Sequence, residues 1–314
     1  MTDVHVHLAA LPAPENGCRV SRRMLRGPLG RLVCRMQGLS PADPEGSNRR
    51  YVENLERELR SSCHVSQAVV LAMDGVYGED GRLDAARTEF LVSNDAAFEA
   101  CRGRGCFMPG PSVNPMRRDA LDELERCKAL GAVLIKTLPN AQGFDPALPR
   151  FRPFYQALRR LKLPLLSHVG HEFAVIAGEQ AFGDPGRLVP ALEEGVTVIA
   201  AHGGSSGLGV VERHLPTVLG LLQRFPNLFL DTSALTLPNR VRALFLLARH
   251  PEVFERLLFG TDYPLPVFSY PCMGTFSVGG YLRASAASSR FDRQALVLQS
   301  LGIKLTRDFA GLTA

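Results

Sequence analysis

The sequence predicts an α/β fold, a (β/α)8 TIM barrel with long loops after its first and eighth strands. Two observations predict it. Eight short apolar, β-branched runs alternate along the 314 residues with segments of helical period. Near-continuous apolar runs of this length are the habit of strands buried on both faces. Polar, titratable residues close at least five of those runs. A closed barrel brings such strand ends to one mouth, whereas an open doubly wound sheet of the same units leaves its outer ends far apart.

In chain order the expected strands are Val4–His7, Gln67–Met73, Met108–Val113, Ala132–Leu138, Pro164–His168, Thr197–Ala201, Leu228–Asp231 and Leu257–Gly260. Between them, Arg118–Leu130 has a helical period that turns Leu121, Leu124 and Cys127 inward and Asp122, Glu123 and Arg126 to water. Gly131 stands where a glycine ends such a helix. Phe151–Leu161 and Gly207–Phe225 behave alike, with Pro164 and Pro226 marking their ends. Two connections, 8–48 and 264–289, far exceed the roughly 2–6 residues of a usual βα loop. Both leave the mouth, where long loops become lids or pocket walls. Residues 1–314 are thus expected to form one barrel domain.

The composition excludes several classes. With 46% hydrophobic and 21% charged residues the chain is globular, and it has no run of about 18 apolar residues that would span a membrane. A polar, His-rich strand within the first seven residues argues against a signal peptide. Seven cysteines without a CxxC spacing suit a reducing compartment, so a cytoplasmic location is expected. The net charge of +5 is mild, and six arginines of one loop exceed it: Arg19, Arg22, Arg23, Arg26, Arg31 and Arg35, with no acid between Asn16 and Ala42. This stretch reads as a solvated basic segment, as a contact in a homo-oligomer, or as an attractor for an anionic substrate. No nucleic-acid partner is expected, because stacking aromatics are missing: the chain has no Trp, and no Phe or Tyr lies between Asn16 and Asn48.

The chemistry is written at the strand ends. In Asp3-Val4-His5-Val6-His7 the alternation of a strand puts His5 and His7 on one face. Two adjacent imidazoles make a poor core and a good pair of metal ligands. His168 follows the strand Leu163–Leu166, His202 follows Thr197–Ala200, Asp262 follows Leu257–Phe259, and Lys136 falls late in Ala132–Leu138. Each alone has a bland reading: a core histidine, a helix cap, a surface ion pair. Together, four histidines and an aspartate at four strand ends point to a metal centre.

The ordered motifs DVHVH, LLSHVGHE, VIAAHGG and LFGTDYP resemble those of the amidohydrolase superfamily, and among its members the branch of metal-dependent hydrolases and decarboxylases related to aminocarboxymuconate semialdehyde decarboxylase. The resemblance spans nearly the whole chain. It implies a barrel with one divalent metal, usually zinc, held by His5, His7, His168 and Asp262. His202 and Asp262 would be catalytic, the first orienting or deprotonating the attacking water, the second accepting its proton and passing it to the leaving group. Other branches bridge two metals with a carboxylated lysine, and Lys136 stands at that position; a binuclear site would then use His168 and His202 on the second metal. One metal is the preferred count. Asp3 is expected to begin the strand or to support a ligand histidine. His171, Glu172, Arg240 and Tyr263 are candidates for substrate binding, with Arg240 or Arg242 able to hold a carboxylate bidentately.

Two rival reactions share this site. The expected one is hydrolysis of a C–O or C–N bond in a lactone, ester or amide of a small carboxylate-bearing substrate, by metal-activated water. The alternative is non-oxidative decarboxylation of a small unsaturated or aromatic acid: GTDYPLP is similar to the decarboxylase side, while HVGHE and AHGG look more like the hydrolases. A serine-hydrolase reading of Gly203–Gly207 as a G-x-S-x-G elbow fails to place an Asp and then a His suitably after it, and leaves the strand-end residues unexplained.

Overall fold

The computed structural model describes residues 1–209, 211–275 and 277–313. All eight expected strands are present, as β1 (Thr2–His7), β2 (Gln67–Leu71), β3 (Phe107–Gly110), β4 (Ile135–Thr137), β5 (Leu165–Ser167), β6 (Val198–Ala200), β7 (Leu228–Asp231) and β8 (Leu257–Leu258). They form two parallel sheets, β1-β2-β3 and β4-β5-β6-β7-β8, in chain order, with helices between them. The architecture is α/β.

Both ends of the two sheets are joined by main-chain hydrogen bonds. Between β3 and β4, Val133 N donates to Pro109 O (3.0 Å) and Lys136 N to Pro111 O (2.8 Å). The run Met108–Val113 pairs in this partial way because its two prolines can accept but not donate. Between β8 and β1, Val4 N donates to Phe259 O (2.9 Å), Asp262 N to His5 O (3.0 Å) and His7 N to Tyr263 O (2.7 Å).

Two apolar layers follow. Val4, Val69, Leu166, Ile199, Phe229 and Leu258 meet in an inner cluster, to which Phe309 adds its ring. Asp308 Oδ1 beside it accepts from Thr2 N (3.0 Å), which ties this segment to the start of β1. The larger outer cluster packs the helices against the strands. In β1 a register irregularity between Asp3 and Val6 puts Val4 in the inner cluster and Val6 in the outer one, where plain alternation would give them one face.

The helix expected over Arg118–Leu130 covers Ala120–Ala129, ends before Gly131 at φ +90°, and is rotated from the predicted phase. Its buried face is Ala120, Glu123, Leu124 and Cys127, while Leu121 is exposed. Glu123 was expected in water; instead it accepts from Asn94 Nδ2 (2.6 Å) and pairs with Arg126.

The two long connections are largely helical, contrary to their reading as loops. Within 8–48, Ser21 caps a helix over Arg22–Arg26, accepting from Met24 N (3.0 Å), and a second helix, Pro28–Gln37, starts on proline and ends at Gly38 with φ +66°. Asp43 caps the next, Pro44–Arg60. Residues 264–289 contain a helix over Val278–Ala286. An antiparallel pairing of Arg19–Val20 with Phe90–Leu91, and the bond from Tyr263 Oη to Gln37 Oε1 (3.2 Å), fasten the two short helices over the carboxyl ends of the strands as a lid. Among the described residues no helix is long and apolar enough to cross a membrane.

Candidate metal centre

His5, His7, Lys136, His168, His202 and Asp262 converge at the carboxyl ends of the strands. From β1, His5 Nε2 and His7 Nε2 stand 3.1 Å apart. Asp262 Oδ1, just beyond β8, lies 3.4 Å from the first and 3.2 Å from the second. Ligands with bonds of about 2.0–2.1 Å to one ion stand about 2.9–3.4 Å from each other, so these three contacts have the dimensions of one face of a coordination polyhedron. The donor set, two imidazoles and a carboxylate, is one a divalent transition ion takes. His5, His7 and Asp262 therefore fit a metal.

His5 is held for this role from behind. Its Nδ1–H donates to Asp231 Oδ2 (2.7 Å), which leaves the lone pair on Nε2. The other carboxylate oxygen of Asp231 accepts from His202 N (2.8 Å), Ser233 N (3.0 Å) and the Ser233 hydroxyl. Ser233 Oγ in turn lies 2.9 Å from His5 Nδ1 and 2.8 Å from His202 Nδ1. His5, His202 and Asp231 also form a cluster of ligand-type atoms, but their short contacts are those of a hydrogen-bonded support. Asp3 works on the main chain, accepting from His5 N (2.9 Å), Thr261 N (3.1 Å) and Thr261 Oγ1 (2.6 Å), and so pins β1 to β8. Burial pushes its carboxyl up to about 8.

His168 and His202 form a second pair, with His168 Nδ1 3.1 Å from His202 Nε2. Glu172 Oε2 lies 3.4 Å from the same His168 nitrogen. His168 Nε2 is buried and, among the described residues, without a hydrogen-bond partner, an orphaned lone pair of the kind an ion would satisfy. Lys136 is fully buried, with Nζ 2.9 Å from His5 Nε2, and burial lowers its amine to about 8. Both His202 (φ +60°) and Asp262 (φ +65°) occupy the left-handed region, which non-glycine residues adopt at a cost of about 1–3 kcal/mol and which concentrates at functional sites.

The charge states follow from burial. It lowers His5, with Lys136 adding to the effect, and it lowers His168 and His202 well below the ordinary imidazole range, with Arg240 adding to it. Asp262 is held below the carboxylate range: burial acts upward and His5 and His7 outweigh it. Histidines depressed in the folded state take up protons more readily once unfolded, so they cost stability as pH drops through the unfolded value of about 6.5. The metal-free protein is expected to melt at progressively lower temperature from about pH 7 to pH 5. Asp3, whose carboxyl burial raises to about 8, acts in the opposite sense over the same range, so the direct check is NMR of the ring nitrogens in chelator: imidazolium rings at pH 6 would refute these neutral histidines.

A cavity of about 140 Å³ opens beside this cluster and beneath the lid. His7, His168, Glu172, His202 and Asp262 line it, whereas His171, Arg240 and Tyr263 do not. The guanidinium of Arg240 is buried and donates to Val169 O (3.3 Å), Ser205 O (3.2 Å) and His171 O (3.0 Å). It braces the main chain after β5 and β6 in place of the expected grip on a carboxylate. Arg242 is exposed. Tyr263 turns away into the core, between Arg290 (4.0 Å to the ring centre) and Phe291. His171 sits at the rim, with Nδ1 against Ser206 O (3.1 Å). All six arginines of 16–42 are exposed and none lines the cavity, so their expected attraction for an anionic substrate has no support in the site. The G-x-S-x-G stretch is no elbow: Ser205 Oγ donates to Glu212 Oε2 (3.0 Å) and Ser206 Oγ to Val211 O (3.1 Å).

Asp231, Ser233 and Thr261 were not anticipated as part of the site. The signal for Asp231 was present, since it closes the run Leu228–Asp231 as the other site residues close theirs.

The amidohydrolase family model matches residues 2–272. No curated relative matches the sequence. Among solved structures, the chain is similar to an uncharacterised TIM-barrel protein from Bordetella bronchiseptica, with 15% identity, 96% of this chain and 100% of that one covered, and a TM-score of 0.59. It is also similar to a 2,6-dihydroxybenzoate decarboxylase complexed with 2,6-dihydroxybenzoate (14% identity, 96% and 99% covered, TM-score 0.51). A third is a dihydroxybenzoic acid decarboxylase from a Polaromonas species with bound manganese and the inhibitor 2-nitroresorcinol (14%, 96% and 96%, 0.51).

Proposed function

The chain belongs to the amidohydrolase family, and from that premise we propose that it is a metal-dependent decarboxylase of a small carboxylic acid. The two hydrogen-bonded seams are read as closing all eight strands into one (β/α)8 barrel spanning the chain. His5, His7, His168 and Asp262 would hold a single divalent ion. The nitrogen-rich donor set suits zinc, and manganese, bound in one of the similar structures, is the competitor. Once bound, the ion would fix and polarise the substrate's carboxylate and a neighbouring oxygen.

The observation that carries decarboxylation over the hydrolysis expected from the motifs is the wall of the cavity. It is apolar away from the five polar residues at its floor. Hydrolysis uses the same residues but must admit water and serve a polar leaving group. Decarboxylation spreads the carboxylate's charge as the C–C bond breaks, which water-poor surroundings favour. The electron pair of that bond stays on the ring or chain carbon, CO2 leaves, and a proton must arrive at the same carbon. His202 lines the cavity with its Nδ1 against Ser233 O (3.2 Å) and its Nε2 beside His168 Nδ1 (3.1 Å), and we assign it the relay of a proton drawn from water to this carbon. Asp262, held ionised, keeps the ion in place.

The test is a panel of 2-hydroxybenzoates, unsaturated acids and lactones offered to protein loaded with zinc or manganese, scored separately for CO2 and for acid release. The expected outcome is CO2 release that chelation abolishes. Chelator-sensitive lactone opening without CO2 would return the site to hydrolysis.

A further inference from the structure

The cavity has a polar floor and an apolar ceiling. The lid supplies the ceiling with Val20, Met24, Leu25, Val33 and Cys34. On the helix Pro28–Gln37 the inward stripe is Gly30, Val33 and Cys34, while Arg31, Leu32, Arg35 and Met36 are exposed. Phe90, Leu138 and Val175 continue the apolar wall. Among the described residues no lysine, arginine, hydroxyl or amide side chain lines it. At about 140 Å³ the space is that of a single ring; an apolar protein cavity of about 150 Å³ takes up benzene.

We infer that the substrate gathers all its polar atoms at one end, as a carboxylate with any oxygen on the adjacent carbon, and carries a one-ring hydrocarbon body without hydroxyl or charge at its far side. The inference rests on the decarboxylase reading for the carboxylate end and goes beyond it in assigning the rest of the molecule. Its cause is the cost of burying a polar group with no partner. A hydroxyl pressed against Leu25 and Val33 forfeits its bonds to water and finds none in return, a loss of about five- to a hundredfold in affinity. A methyl at the same place gains about fourfold. The lid therefore selects against a ring hydroxyl opposite the carboxylate, whereas hydroxyls that flank the carboxylate, as in 2,6-dihydroxybenzoate, stay at the polar floor.

Calorimetric titration of the zinc- or manganese-loaded protein with 2-hydroxybenzoate, 2-hydroxy-4-methylbenzoate and 2,4-dihydroxybenzoate tests this, with affinity as the readout. The expected order is methyl tightest, by about fourfold, and 4-hydroxyl weakest, by at least about fivefold. A 4-hydroxyl compound that binds as well as the 4-methyl one overturns the inference and leaves the carboxylate reading intact. Failure of all three to bind overturns that reading, and the inference with it. Val33→Asn and Leu25→Gln, made singly, are expected to narrow the gap between the 4-methyl and 4-hydroxyl compounds; a gap unchanged in both removes the lid as selector.

Discussion

Asp262→Ala is expected to strip the protein of its metal and of its activity together. Asp262 supplies the one carboxylate oxygen that faces both β1 histidines, at 3.4 and 3.2 Å. Without it His5 and His7 keep their positions but lose the charge that neutralises a divalent ion. Metal bound after dialysis should fall to background, and turnover by about a hundred- to a thousandfold, the scale on which loss of a main electrostatic element is felt. Metal analysis beside CO2 release checks it. A variant that keeps full metal and full activity moves the centre elsewhere, to the His168–His202 pair.

Asp231→Ala is expected to be nearly as damaging by another route. Asp231 is fully buried and does not line the cavity beneath the lid. It accepts from the His5 ring, from the amides of His202 and Ser233, and from the Ser233 hydroxyl. Removing it leaves those donors buried and free to rotate His5 out of register. Breaking a buried charged network of this kind costs about 3–5 kcal/mol, and loss of a carboxylate behind a ligand histidine weakens metal binding about 10- to 100-fold. Urea unfolding and a competitive chelator titration measure the two. Asp231→Asn should recover part of the stability, since its carbonyl can still accept from His5, but less of the metal affinity.

These two aspartates mark what could be read in advance. All eight strands were legible because continuous apolar runs leave little choice of structure, and His5, His7, His168, His202 and Asp262 were legible because they recur at strand ends. Asp231 ends a strand just as they do, but it stands alone, with no histidine beside it in sequence to draw notice. The helix Ala120–Ala129 was legible in extent and not in phase: Leu121 and Ala120 compete for the inner face, and the smaller residue lies there because the surrounding packing leaves room for it. The helices of the lid were not legible because they are short, rich in arginine and separated by Gly27, with Gly30 inside the second. What no spacing contains is direction. That Arg240 is spent on three carbonyls, that Tyr263 faces the core, and that six arginines turn outward emerge only when neighbouring elements are in place.

The seam between β8 and β1 has a consequence for how long the fold lasts. Its main-chain bonds, the clasp of Asp3 on Thr261, and the proposed ligands His5, His7 and Asp262 all lie along this one seam. An ion held there is a cross-link between segments from opposite ends of the sequence, made by coordination where secreted proteins would use sulfur. Opening the seam would require the ion to leave first. The lifetime of the native state should then follow the ion's off-rate, so a slowly exchanging metal would preserve the fold longer than a labile one even where both support the same turnover.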